Sequence, residues 1–458
     1  MNLQKIIVSA VFFAFCATAC SDGNTQKVQP EHPEKWAEIE NYIKNNWMKY
    51  VETTPPLPKP YSYALNPGTL YYWDLYFINE GLMIHGFMEQ ARNNIDNFIF
   101  EIEELGYIPT AIKWGADRSQ TPYFAMMVRN YYEKCTQKDK EWLHRAYRAT
   151  LTEYEFWTNT GGNRIEDHST SVEGLQRFYH HSDTAALVRF YDRVLQGRFH
   201  LSKDVPTSEK ILTASRRMAE AETMDFTPRF EGRCPDFIAV DLNSNLYQYE
   251  RNLAFFEREL GIQSEYRWEN RAEQRAELIN KYCWSAERGL YLDYDFVNNR
   301  HSSIAAITTL MPLYWGLASK KQAKQVKEQL ELFDSPGGLV VCEQSEQPIE
   351  YQWGDKAVWA PIQLLAMGSL LNYGYKDEAE QVAMKWLNVV TRNYINPYPV
   401  TYNRFKHGPD ERKPGYIWEK YTREGDINDI EYSSSEMMGW TAATFLKALE
   451  VVNAKNGK

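Results

Sequence analysis

An all-α fold is predicted for this 458-residue chain by three observations. Apolar residues recur at spacings of three and four along most of its length, no run of strand-like alternation interrupts them, and many helical segments pair across short connections. The clearest segment is Asp74–Leu105, where Leu75, Ile78, Leu82, His85, Ala91, Ile95, Phe98, Ile99, Ile102 and Leu105 form one apolar face. Segments of the same kind lie near 35–50, 120–134, 139–158, 183–198, 208–222, 240–260, 266–282, 303–317, 320–332, 357–373, 376–394 and 434–452. That makes about a dozen helices, without the internal repeat that marks a solenoid. The proline-rich stretch Pro55–Pro60 reads as a loop, so residues 36–455 form one domain.

The chain begins differently. Lys5 is followed by the apolar run Ile6–Phe15, which is too short to span a bilayer and fits a cleaved signal peptide over residues 1–19. Ala17-Thr18-Ala19-Cys20 resembles a bacterial lipoprotein processing site, with Ala17 where leucine is more usual. Cys20 would then become the lipidated first residue, and polar residues 20–35 a tether. Plain secretory cleavage is the alternative, and Cys16 offers a second, weaker site. The expectation is an exported protein of the periplasm or outer membrane, touching the membrane only through its anchor.

Composition limits the partners. A formal charge of −10 with no basic block argues against nucleic acid. Aromatic residues reach 14%, a richness that suits sugar faces and large helical cores alike, so by itself it is assigned to the core. Beyond the leader, Cys135, Cys234, Cys283 and Cys342 are far apart and form no CxxC pattern, which argues for buried thiols over a zinc site and leaves a disulfide as the alternative.

The stretch Ala221–Phe230, AETMDFTPRF, holds Asp225 at a helix end just before a proline. An isolated acid there is ordinarily a turn or surface feature. Other stretches change the weighting: LYYWDLYFINEGL (Leu70–Leu82), GYIPTAIKWGADRSQTP (Gly106–Pro122), Leu175–Tyr179, AVDLNSNLYQYE (Ala239–Glu250), EYQWGDKAVWAP (Glu350–Pro361), WEKY (Trp418–Tyr421) and EYSSSEMMGW (Glu431–Trp440). In this order they resemble the motifs of the trehalase family, glycoside hydrolase family 37, over about residues 65–440. The Gln-Trp…Trp-Ala-Pro match is the most specific.

The resemblance implies an (α/α)6 toroid with its site at the mouth, built from inter-helix loops, and no cofactor or metal. It implies an inverting, exo-acting glycosidase for an α-linked glucoside, foremost α,α-trehalose. A related α-glucosidase or a non-catalytic glycan-binding lipoprotein is the alternative. Asp225 takes the acid position and Glu419 the base position. Trp73, Asp74, Arg118, Ser119, Gln120, Arg177, Gln352, Trp353 and Glu431 fall on sugar-contacting positions. The chemistry agrees. Inversion needs one carboxyl to protonate the leaving oxygen and a second, roughly 6.5–9.5 Å away, to deprotonate water. Acids from distant loops suit that separation better than neighbours on one helix. Local readings stay open: Asp74 at a helix start, and Glu431 beside a Ser433/Glu436 capping box.

Departures bear on the substrate. The Pro-Gly-Gly-Arg-Phe segment is reduced to Asn66-Pro67-Gly68-Thr69, without its arginine. Thr110 replaces an asparagine, Tyr179 the acid of Arg-Pro-Glu, and Met224 a tryptophan, while Gly425–Ile430 stands in for a glycine-rich lid. Lost donors and acceptors shift selectivity more than reaction class.

Overall fold

A computed structural model of the chain describes residues 27–455, apart from 65–66, 113–114, 163–164, 347–348, 350, 397–399, 404–407, 411–413 and 428–435. Its α-helices are α1 (Trp36–Asn46), α2 (Tyr72–Ile84), α3 (Met88–Leu105), α4 (Phe124–Lys134), α5 (Lys140–Thr158), α6 (Thr184–Phe190), α7 (Gln196–Phe199) and α8 (Thr207–Glu220). There follow α9 (Val240–Leu260), α10 (Trp268–Tyr282), α11 (Met311–Tyr314), α12 (Lys320–Glu328), α13 (Ala360–Asn372), α14 (Lys376–Ile395) and α15 (Gly439–Lys455). Strands are short and lie in the connections, mostly as pairs, with one three-stranded sheet of Phe237–Ile238, Tyr294–Asp295 and Arg300–His301.

Six of these helices form a ring of neighbours: α2 touches α4, α4 touches α9, and the sequence continues through α11, α13 and α15 back to α2. Around them, α3 packs on α2 and α4, α5 on α9, α10 on α9, α14 on α13 and α15, α1 on α14, and α12 on the strand Leu290–Tyr291. This is the two-layer arrangement of an (α/α)6 toroid. Side-chain chemistry sorts the layers. Nearly every residue of α2 and α13 is buried, whereas α10 buries only the stripe Trp268, Ala272, Arg275 and Ile279. Where the first and last ring helices meet, Gly81 permits close approach: a Cβ there would lie 2.7 Å from Ala443 Cβ.

Three of the expected helices differ. The continuous face read over Asp74–Leu105 is two helices, broken where Gly86 takes φ 81°, a left-handed value that glycine adopts without strain. The segment near 303–317 shrinks to a 3-10 turn (Ile307–Leu310) and the single turn of α11. The segment near 357–373 opens as the strand Ala357–Trp359, and its helix starts only at Ala360, with Pro361 in the first turn. That strand pairs antiparallel with Lys420–Thr422, opposing Trp359 to Lys420.

Helices α6, α7 and α8 have a small core of their own, Leu187, Tyr191, Leu195, Ala214 and Met218, which Phe226 of the following connection joins. The segment after them is anchored by Arg229, which is fully buried. Its guanidinium donates to Asp241 Oδ1 (2.6 Å) and Oδ2 (3.0 Å) at the start of α9, and to Asp293 Oδ2 (2.8 Å) and Oδ1 (3.1 Å). Asp293 also accepts the Val240 N–H at 2.9 Å, and Thr223 Oγ1 donates to Asp241 at 3.0 Å.

Replacing Arg229 with methionine would leave two buried carboxylates facing each other without a cation. A loss of about 3–5 kcal/mol is expected, the cost of breaking a buried ion pair from one side. Urea unfolding followed by tryptophan fluorescence measures it, and a loss below about 1 kcal/mol, the scale of an exposed pair, would show the clamp to be incidental.

Candidate active site

The segment after α8 turns back sharply on itself. Phe226 has φ 60°, a left-handed value that is strained for a bulky residue. Surrounding bonds fix it there: the Trp353 N–H donates to the Phe226 carbonyl at 3.3 Å, and the Thr227 N–H to Glu220 Oε1 at 2.8 Å. Glu220 is itself gripped by Arg217 Nη1, 2.7 Å from its Oε2. This turn presents Asp225, which is partly exposed, and the Trp353 indole N–H donates to its Oδ1 at 3.1 Å. The Gln-Trp stretch thus orients the candidate acid.

Glu419 arrives from the other side of the ring and is buried. The strand pair holds its chain neighbour Lys420, whose Nζ lies 4.6 Å from the Trp359 ring centroid. The start of α15 holds its backbone: Trp440 Nε1 donates to the Glu419 carbonyl (2.9 Å) and Thr441 Oγ1 to that of Trp418 (2.7 Å).

Asp74, in the first turn of α2, is the third carboxylate. Burial raises its carboxyl from 3.8 to about 8, and the nearby charges of Glu419 and Asp225 add to the shift. Three acids more than a hundred residues apart therefore share one electrostatic environment. Indoles back them. Trp353 stacks on Trp359 (centroids 3.8 Å, 8°), Trp73 lies 5.4 Å from Trp353, and Trp440 meets Trp359 edge-on at 5.8 Å. Next to Trp353, Gln352 Oε1 is buried without a hydrogen bond, an open acceptor suited to a hydroxyl.

Other sequence-predicted residues are placed in structural contacts. Gln120 Oε1 accepts the Trp73 N–H at 3.1 Å and so satisfies the start of α2. Ser119 is fully buried, its hydroxyl donating to the Ile108 carbonyl at 2.6 Å. Arg118 pairs with Asp117 at 2.6 Å. Arg177 donates to Asp167 Oδ2 (2.9 Å) and to the Pro235 carbonyl (3.1 Å), with its guanidinium 4.7 Å from the Tyr179 ring centroid. Tyr179 stacks on His180, and Thr110 Oγ1 donates to the Ser119 carbonyl at 2.7 Å. Glu431, like Cys20, lies outside the described residues. The sequence reading gave no role to Trp359, Trp440 or Glu222. The two tryptophans lie inside matched motifs, so the signal was present. Glu222 lies inside the Ala221–Phe230 stretch, three residues before Asp225, with no local pattern to single it out.

Comparison with known proteins follows the same lines. The trehalase family model matches residues 12–453. A probable trehalase of Saccharomyces cerevisiae is 30% identical over 440 residues, covering 86% of this chain and 55% of its own length. A cytosolic neutral trehalase of Beauveria bassiana is 30% identical over 449 residues, with 84% and 57% coverage. The chain thus spans little more than half the length of these relatives. Among solved structures, the neutral trehalase of Saccharomyces cerevisiae superposes with a TM-score of 0.70 at 26% identity, covering 91% of this chain and 81% of that one. A mannosylglycerate hydrolase of Thermus thermophilus shares the fold, with a TM-score of 0.62 at 15% identity, over 89% of this chain and 99% of that one.

The raised Asp74 carboxyl has a definite sign. Between its ordinary value of 3.8 and about 8, the native state keeps a proton that the unfolded chain has released. Its contribution to stability is therefore complete below the unfolded value and lost as pH rises toward about 8, at about 1.4 kcal/mol per pH unit for one proton. Asp74→Asn removes that loss. The melting temperature of the variant minus that of the wild type is expected to grow from about pH 5 to about pH 8. Parallel melting profiles would show that Asp74 titrates as an ordinary carboxyl.

Proposed function

The chain belongs to the trehalase family, and we propose that it is an inverting glycoside hydrolase that cleaves α,α-trehalose into two glucose molecules. The observation that carries this reading is the gathering of Asp74, Asp225 and Glu419 in one environment against an indole wall. In this reading Asp225 protonates the glycosidic oxygen as the bond to the anomeric carbon breaks. Its carboxyl is aimed by the Trp353 N–H. Glu419 takes a proton from the water that attacks the opposite face of the sugar. Asp74 and Gln352 hold hydroxyls of the first glucose, and the tryptophans exclude water from the developing positive charge. The inner sugar is the better specified. Arg177 and Tyr179 are drawn into contacts with Asp167, Pro235 and His180, so the second sugar has fewer committed partners.

Asp225→Asn and Glu419→Gln are each expected to lower the chemical step by at least about 10²-fold while leaving the fold intact, the scale of general acid or base catalysis. Proton NMR of early wild-type product should show equal α- and β-glucose from trehalose, since inversion converts one of its two α centres. Only α-glucose at early times would mean retention and would remove Glu419 from the base role. Comparing kcat/KM for trehalose, kojibiose, nigerose and maltose tests the substrate. No turnover of any of the four by folded protein would favour the glycan-binding alternative.

The leader supports a second proposal, export and anchoring through a lipid on Cys20. Mass spectrometry of the mature N-terminus is expected to find a diacylated or triacylated Cys20, and an unmodified start elsewhere would exclude it.

A further inference from the structure

A second buried cluster of titratable side chains lies behind the acid segment. The connection between α5 and α6 carries Glu166 and His168, both with side chains wholly out of solvent. His168 Nδ1 is 2.9 Å from the Arg177 carbonyl oxygen, so this nitrogen carries a proton, and Nε2 is the nitrogen that can serve as a ligand in the neutral ring. Nε2 lies 3.1 Å from Glu166 Oε2. Yet neither atom makes a hydrogen bond, although both are buried. With the imidazole protonated the two atoms are an ion pair; with Nε2 unprotonated they are two lone-pair donors 3.1 Å apart with nothing between them to share. The other oxygen of Glu166 is taken by His181 Nδ1 at 2.6 Å.

Glu222 completes the group. Its Oε1 accepts the Ser119 N–H at 3.0 Å and its Oε2 the Tyr179 N–H at 2.7 Å. One ligand atom each from Glu166, His168 and Glu222 falls within 4.8 Å of the others. Among the described residues the basic partners of Glu166 are the imidazoles of His168 and His181, and Glu222 has no ion-pair partner. Two carboxylates shut away together need protons or a cation between them. Two carboxylate oxygens and one imidazole nitrogen make a mixed set of the kind zinc takes, with bonds of about 2.0–2.2 Å. A tetrahedral site with such bonds has edges near 3.4 Å, close to the Glu166–His168 spacing. The outer contacts follow the usual pattern for metal ligands: His168 donates its second nitrogen to a carbonyl, and both carboxylates accept hydrogen bonds from behind.

We propose that Glu166, His168 and Glu222 form a binding site for a divalent first-row cation of the zinc class, which ties the connection between α5 and α6 to the acid segment. The ion is structural. Glu222 stands three residues before Asp225, and its backbone partner Ser119 adjoins Gln120, which satisfies the start of α2 beside Trp73. An ion here would fix the two segments that carry Asp225 and Asp74 without touching substrate.

The full purified chain, stripped with a chelator and exchanged into metal-free buffer, provides the test. Added zinc is expected to remain bound stoichiometrically through gel filtration, by plasma mass spectrometry, and to raise the melting temperature. Cobalt(II) in its place should give visible absorption bands of a low-coordinate site. His168→Gln should weaken zinc binding at least about tenfold and abolish the cobalt bands. Absence of retained zinc, cobalt bands and any melting shift in the wild type would overturn the proposal and leave a proton-sharing cluster. Unchanged zinc affinity in folded His168→Gln would overturn it equally, by locating the metal elsewhere. Should that variant not fold, the wild-type measurements decide alone. None of these readouts depends on sugar turnover.

Discussion

Arg229 is the constraint on which the site depends. Its guanidinium donates four hydrogen bonds to two carboxylates that belong to different parts of the chain, Asp241 at the head of a ring helix and Asp293 in a connection beyond it. Fully desolvated, this set holds only when every partner is in place, because any one of them alone would be a buried charge. The clamp sits four residues after Asp225 and so fixes where the acid segment can lie. A salt bridge of this kind is a poor source of net stability. It specifies geometry instead, which a segment with a left-handed phenylalanine requires.

From that anchor the remaining order follows. Phe226 is held in its strained conformation by Trp353 and by the small helical core of α6–α8. Trp353 in turn stacks on Trp359, which opposes Lys420 in the strand pair and so connects to Glu419. Acid and base candidates are thus two ends of one packed chain of contacts, and Asp74 on the first ring helix feels the charge of both. Burying an ionisable group there has a stability cost, visible in the raised Asp74 carboxyl. A solvated site would avoid that cost but would screen the charges of the three acids from one another.

The same packing explains what became of the motif residues. Arg118, Ser119 and Gln120 lie on one motif, yet Ser119 and Gln120 turn polar atoms to the backbone of neighbouring segments and Arg118 to Asp117. A motif match does not distinguish a residue that reads sugar from one that positions its neighbour, since both are required for the same site. The break at Gly86 was equally hidden. Residues on either side of it keep the helical spacing, and only the turn of α3 across α2 and α4 makes the left-handed residue necessary.

What the sequence determined by itself was local or collinear. Spacing of apolar residues gave helices because each helix must bury a stripe, and the ordered motifs gave the family and the identities of Asp225, Glu419 and Asp74 as candidates. Tertiary structure alone decided that six helices follow one another round a ring, that these acids share one environment, and that Glu166, His168 and Glu222 meet behind it. The reason is physical. Helix spacing is set by hydrogen bonds between residues four apart, whereas burial, charge coupling and ligand geometry arise between residues that meet only when the ring forms, and no local pattern encodes those distances.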